Sequence, residues 1–251
     1  MEFQLGRRLF FRNNLWNIFT GFIASVAFTS ISVQADMTLN RMIVDFQPDV
    51  APHQDITVFN GDQSNLYVTV NVFEIVNPGT AKEKRVPLQD LKNVPLVATP
   101  KKLIIPGNSQ KNVRLVSLEE SVLKDRIFRV NFSPAIGKLK AKKSGIRILA
   151  AYDNLVIVRP ENPIASIITE RQPGRIIFQN KGNSNAILQN GYQCHPEKKK
   201  ECEKLPNRRL YAGNTWELKT PFSGPVFYEV DDGNGVKIQT FGTAVKNLTS
   251  R

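Results

Sequence analysis

The sequence predicts an all-β protein built as two immunoglobulin-like β-sandwich domains. Three observations carry this reading. Short β-branched or aromatic runs recur along the chain, separated by Asn, Gly, Pro and Asp turn signals. No segment after the first 35 residues sustains the 3.6-residue apolar period of a helix, and LEESVLKD reads as one helical turn at most. Finally, two prolines within four residues in Pro160-Glu161-Asn162-Pro163 stop regular structure and mark a stiff connection.

In chain order, Arg7, Arg8 and Arg12 precede an apolar run over 15–31 that ends in Val33-Gln34-Ala35, the layout of a secretory signal over 1–35 with a small-x-small cleavage site. The competing reading is an N-terminal membrane anchor, against which Asn17, Thr20 and Ser25 interrupt the run. No later segment reaches the ~18 uninterrupted apolar residues of a membrane span. The first domain, 36–160, then offers DITVFN, NLYVTVNVFEI, PLVATP, KKLIIP, KNVRLVSL, RIFRVNFSP and GIRILAAYDNLVIV. About seven such runs in ~120 residues suit an immunoglobulin-like sandwich. The stretch from Ser144 to Pro160 reads as one long strand with apolar residues on both faces. A second, smaller sandwich, 161–251, follows from SIITE, GRIIFQN, AILQNGYQC, RRLYAG, TWELKT, VFYEVDD and VKIQTFGTAV.

The two cysteines, Cys194 and Cys202, stand where export allows a disulfide to form and persist. The alternative for the same residues is a metal site with His195, which lacks the repeated spacing of a zinc ribbon. Removing 1–35 leaves 31 basic and 21 acidic residues, a net +10, which points to an anionic partner: an acidic protein, an anionic membrane surface or a carboxylate terminus. Nucleic acid fits poorly, since an exported chain rarely meets it and no zinc-finger, RNP or helix-turn-helix signature is present. Catalysis is poorly supplied: His53 and His195 are the two histidines, and there is no GxSxG elbow, P-loop or HExxH. Asp231-Asp232-Gly233-Asn234-Gly235 is chiefly a turn signal. No cofactor or metal is called for, and a binding or assembly protein is favoured over an enzyme.

LVATPKKLIIPGNSQKNVRLVSL, DRIFRVNFSPAIG, ILAAYDNLVIVRP and YEVDDGNG, in this order across the mature chain, resemble the periplasmic chaperones of chaperone-usher pilus assembly. FEIVNPGTAKEKRV before LVATPKKLIIP, and the Cys pair after GYQ, are most similar to the alternate branch that assembles colonisation-factor-type fimbriae. The resemblance implies two domains set at an angle with a client-binding cleft between them. It implies a periplasmic protein whose partners are pilin subunits and an outer-membrane usher. Pilins of this type lack their last strand, and the chaperone lends its own last first-domain strand to fill the gap, a case of β-augmentation.

Residue by residue, the resemblance makes Ile146, Ile148 and Ala150, which share a face by period 2, the groove-filling side chains. The usual basic anchors for the client's C-terminal carboxylate are replaced by Ile43 and Leu155, leaving Arg41 and Arg129 as substitutes. Arg41 lies two residues before Ile43, on the same face of a continuous strand and about 7 Å along it. Asp125, Arg159 and Asp231 are expected to form an interdomain salt-bridge network, one planar guanidinium between two carboxylates. Lys138, Lys140, Lys142 and Lys143 stand beside the exposed strand, where like charge deters self-pairing. A secreted two-domain immunoglobulin-like adhesin is the alternative, with a carbohydrate-active enzyme or lectin as a third class.

Overall fold

The computed structural model describes residues 37–88, 94–119, 121–135, 149–198 and 200–242. The first half contains β1 (Met37–Leu39), β2 (Ile43–Phe46), β3 (His53–Asn60), β4 (Leu66–Val76), β5 (Lys84–Pro87), β6 (Leu96–Thr99), β7 (Lys102–Ile105), β8 (Ser109–Ser117), β9 (Arg126–Ala135) and β10 (Tyr152–Val158). They form two sheets, β1-β3-β8-β6 and β2-β10-β9-β4-β5, with β7 also pairing β4. Period-2 alternation explains the sandwich: Ile56 and Val58, Val113 and Leu115, Val68 and Val70, and Phe128, Val130 and Phe132 are buried between the sheets. The chain opens by changing sheets, because β1 pairs antiparallel with β3 while β2 pairs parallel with β10. The Asn154 amide donates to the Arg41 carbonyl at 2.7 Å and the Tyr152 hydroxyl to the Met37 carbonyl at 2.8 Å, so β10 fastens both sides of that crossover.

The second half contains β11 (Ile167–Gln172), β12 (Arg175–Asn180), β13 (Ala186–Cys194), β14 (Cys202–Lys204), β15 (Arg208–Leu210), β16 (Thr215–Lys219), β17 (Val226–Asp231) and β18 (Val236–Phe241). Its sheets are β11-β12-β16 and β14-β13-β17-β18, with β15 on β13. Phe178 fixes the core by packing edge-on to Tyr228 and Phe241 and stacking on Trp216. The bulge in β13 between Gln189 and Tyr192 includes Gly191, where a Cβ would come within 2.2 Å of the Tyr228 ring. Each half also closes one strand end with a buried asparagine. Asn60 donates to the carbonyls of Ser64, Ile105 and Pro106, and Asn180 donates to those of Ser184 and Leu210. These are two copies of one solution to satisfying buried backbone acceptors.

The all-β reading with two immunoglobulin-like sandwiches matches this architecture, and no α-helix occurs among the described residues. The long last strand differs in its start. It begins at Tyr152, with Ala150 and Ala151 exposed before it, and Ile146 and Ile148 lie outside the described residues, as do the four lysines at 138, 140, 142 and 143.

Candidate functional site

Both faces of β10 are buried, each for a different reason. Val156 and Val158 enter the first core, whereas Leu155 and Ile157 join Ile75 and Ile127 in a separate cluster on the outer face of the sheet, where Tyr211 of the second half packs against them. Burial raises the Tyr211 pKa, and the positive charges of Arg209 and Arg129 partly counter that rise. The loop after β4 closes the same junction: the Asn214 amide donates to the Pro78 carbonyl at 2.7 Å, and Tyr211 lies against Gly79.

Arg159, directly after β10, is the polar centre of the junction, with its side chain 3% exposed. Its Nε and Nη2 grip the Asp45 carboxylate of β2 at 2.7–3.0 Å, while Nη1 donates to the Ser184 hydroxyl at 2.6 Å and the Asp232 carbonyl at 3.0 Å. Ser184 in turn donates to Asp125 at 2.9 Å, and Asp125 also accepts from the backbone N–H and side-chain amide of Asn185. Burial presses the Arg159 pKa down, but the hydrogen bonds and charge of Asp45, with the charges of Asp125 and Asp231, more than offset it and hold the pKa above its ordinary value. Arg159 therefore reaches Asp125 through a hydroxyl, and the Asp231 carboxylate accepts from Gly233 N–H within its own turn. The direct carboxylate partner is Asp45, which sequence reasoning did not single out. Gly233, at φ +90°, permits the approach, since a Cβ there would stand 2.7 Å from the guanidinium carbon.

Farther along the outer face, Phe73, Arg129, Leu155 and Ile43 form one lateral row across β4, β9, β10 and β2. Arg129 thus stands in the same row as the two positions, Ile43 and Leu155, that lack basic residues. Ile43 is 49% exposed and Leu155 6%. Arg129 Nη1 donates to the Asp153 carbonyl at 3.1 Å, and its Nε lies 3.8 Å from the Asp153 carboxylate, which also pairs with Arg85 of β5. Arg85 covers the Phe73 ring at 4.3 Å. Arg41 is placed elsewhere. It sits in the break between β1 and β2 and donates to Gln54 of the opposite sheet at 2.9 Å, so the face-sharing argument from Ile43 does not apply to it.

Cys194 and Cys202 are joined in a disulfide across the β13–β14 pair. His195 beside them accepts the backbone N–H groups of Glu197 and Lys198 at 3.2 Å.

The outer edge of β10 is paired with β2 from Leu155 to Val158, and among the described residues no strand pairs that edge from Tyr152 to Asn154. Solved structures of fimbrial chaperones share this two-sandwich fold. The class 5 fimbriae chaperone CfaA superposes with a TM-score of 0.62 at 22% identity, covering 82% of this chain and 99% of that one. A chain from a chaperone-tip adhesin complex of CFA/I fimbriae biogenesis gives 0.58 at 24% identity, covering 83% and 99%. Among curated proteins, a CS1 fimbrial subunit of Escherichia coli is 25% identical over 196 residues, 72% of this chain and 81% of that protein. No protein-family model matches the chain.

Proposed function

We propose that this chain is a periplasmic chaperone of the alternate, colonisation-factor branch, which binds fimbrial subunits by lending them a β-strand and passes them to an outer-membrane usher. The observation that carries the reading is the edge of β10, paired by β2 only from Leu155 onward. A client strand docked there meets a stretch of edge that β2 leaves uncovered, and alternate side chains of the lending strand set its register. Ile146, Ile148 and Ala150 fill the client groove; burying the two isoleucines contributes at most about 3–6 kcal/mol. Residues 1–35 act as the export signal, 36–160 as the client-binding domain and 161–251 as the bracing domain. The chaperone-tip adhesin complex among the solved structures of the same fold supports the choice of client.

Arg129 anchors the client's C-terminal carboxylate, because it occupies the lateral row of the outer face and retains N–H donors beyond the one bond to the Asp153 carbonyl. No chemical step is involved: the work is binding, with the energy of main-chain pairing and groove filling released again when the subunit is handed on. The test is to co-express the mature chain with pilins from its own genome and weigh the purified complex by mass spectrometry. Wild type is expected to yield a one-to-one complex that Ile146→Asp/Ile148→Asp abolishes. A folded protein that captures none of these pilins returns the adhesin reading.

A further inference from the structure

The outer face of the sheet places two guanidinium groups, Arg85 of β5 and Arg129 of β9, around one carboxylate, Asp153 of β10. All three side chains are between 35% and 41% exposed, so the cluster is open to solvent and to a ligand. The two arginines are held unequally. Arg85 makes a direct hydrogen bond to Asp153 Oδ1, whereas Arg129 Nε stands 3.8 Å from Oδ2, an ion-pair distance beyond hydrogen-bond reach. The bond that Arg129 does make goes to the Asp153 backbone carbonyl.

We infer that Asp153 is a built-in competitor at the cleft: its carboxylate occupies the neighbourhood of Arg129 and must yield to Arg85 alone before Arg129 can take the carboxylate of a bound chain end. This rests on the reading of Arg129 as the carboxylate anchor. The geometry permits the exchange, because Arg85 already holds Asp153 and is itself steadied over the Phe73 ring. With Nη1 on the Asp153 backbone carbonyl, Arg129 then has its Nε and Nη2 edge to offer to a second carboxylate. Two cations sharing one anion leave a positive charge over for that ligand. Until Asp153 turns aside, its own negative charge opposes the incoming one. Asp153 therefore lowers affinity for chain ends and keeps subunit release easy, acting as a positioning residue for the arginine pair.

Acetate is the probe, with acetamide as the neutral control and sodium chloride matching ionic strength. Titrations on the full mature protein are followed by the ¹⁵N signals of the arginine Nε–Hε groups. Asp153→Asn is expected to bind acetate about fivefold more tightly than wild type, the scale of one exposed charge pair. Arg129→Gln on top of Asp153→Asn should remove the saturable shift. Asp153→Ser, which also removes the charge, should match Asp153→Asn, guarding against a peculiarity of the amide. Equal acetate affinity in wild type and both Asp153 variants, with loss in Arg129→Gln, overturns the role of Asp153 and leaves the anchor standing. Absence of a saturable acetate shift at Arg129 in every variant overturns the anchor and with it this inference.

Discussion

Arg159→Ala is the perturbation whose consequence the structure specifies most fully. The substitution removes five hydrogen bonds: three to the Asp45 carboxylate, one to the Ser184 hydroxyl and one to the Asp232 carbonyl. Breaking a fully buried ion pair by removing one partner costs about 3–5 kcal/mol. The Asp45 side chain retains 30% exposure and can be partly rehydrated, which lowers the expected loss to roughly 2–3 kcal/mol. Ser184 still donates to Asp125, so that half of the junction survives. The assay is urea unfolding of wild type, Arg159→Ala, Asp45→Asn and the double variant, with the same cycle repeated for Asp231→Asn. Arg159 and Asp45 should couple by about 1–3 kcal/mol, while Arg159 and Asp231 stay within ~0.5 kcal/mol of additivity. Additive effects at Asp45 together with strong coupling at Asp231 would refute the assignment of Asp45 as the partner.

Other perturbations probe neighbouring parts of the structure. Tyr211→Ala should lower stability by about 2 kcal/mol, less than a fully buried aromatic, and expose Leu155 and Ile157; an unchanged urea midpoint contradicts the packing of the two halves through this ring. Replacing Cys194 and Cys202 by serine opens a link eight residues apart and should cost roughly 2–3 kcal/mol in unfolding, confined to the second domain. Burial raises the Tyr228 pKa above its ordinary value of 10.0, so its contribution is fully present below that pH and declines as pH rises past it. Tyr228→Phe should lose about 1 kcal/mol at neutral pH with the bond to the Pro206 carbonyl, and flatten the alkaline fall in stability.

Most strands were legible because their alternation is simple. NLYVTVNVFEI and RIFRVNFSP fold as β4 and β9 with little change of bounds. The pieces that escaped are short or polar: β5 is Lys-Arg-Val-Pro and β14 is Cys-Glu-Lys, neither with an alternation to read. The double burial of β10 was visible as a run with apolar residues on both faces, yet its outer cover over Leu155 and Ile157 is a tyrosine more than fifty positions away, which local pattern cannot supply. The same limit explains the hub. Arg159 and Asp125 stand out beside prolines and turns, but Asp45 becomes the partner only because β2 pairs parallel with β10 and sets Asp45 opposite Ile157. Arg41 misled because the strand assumed to continue through it breaks to change sheets.

The proposed strand lending is tested most directly by amide hydrogen exchange on the free protein and on its purified complex with a pilin. Protection is expected to rise across 144–154 in the complex and to stay constant over Leu155–Val158, whose edge β2 already covers. Unaltered exchange across 144–154, with new protection confined to another sheet, would contradict the account.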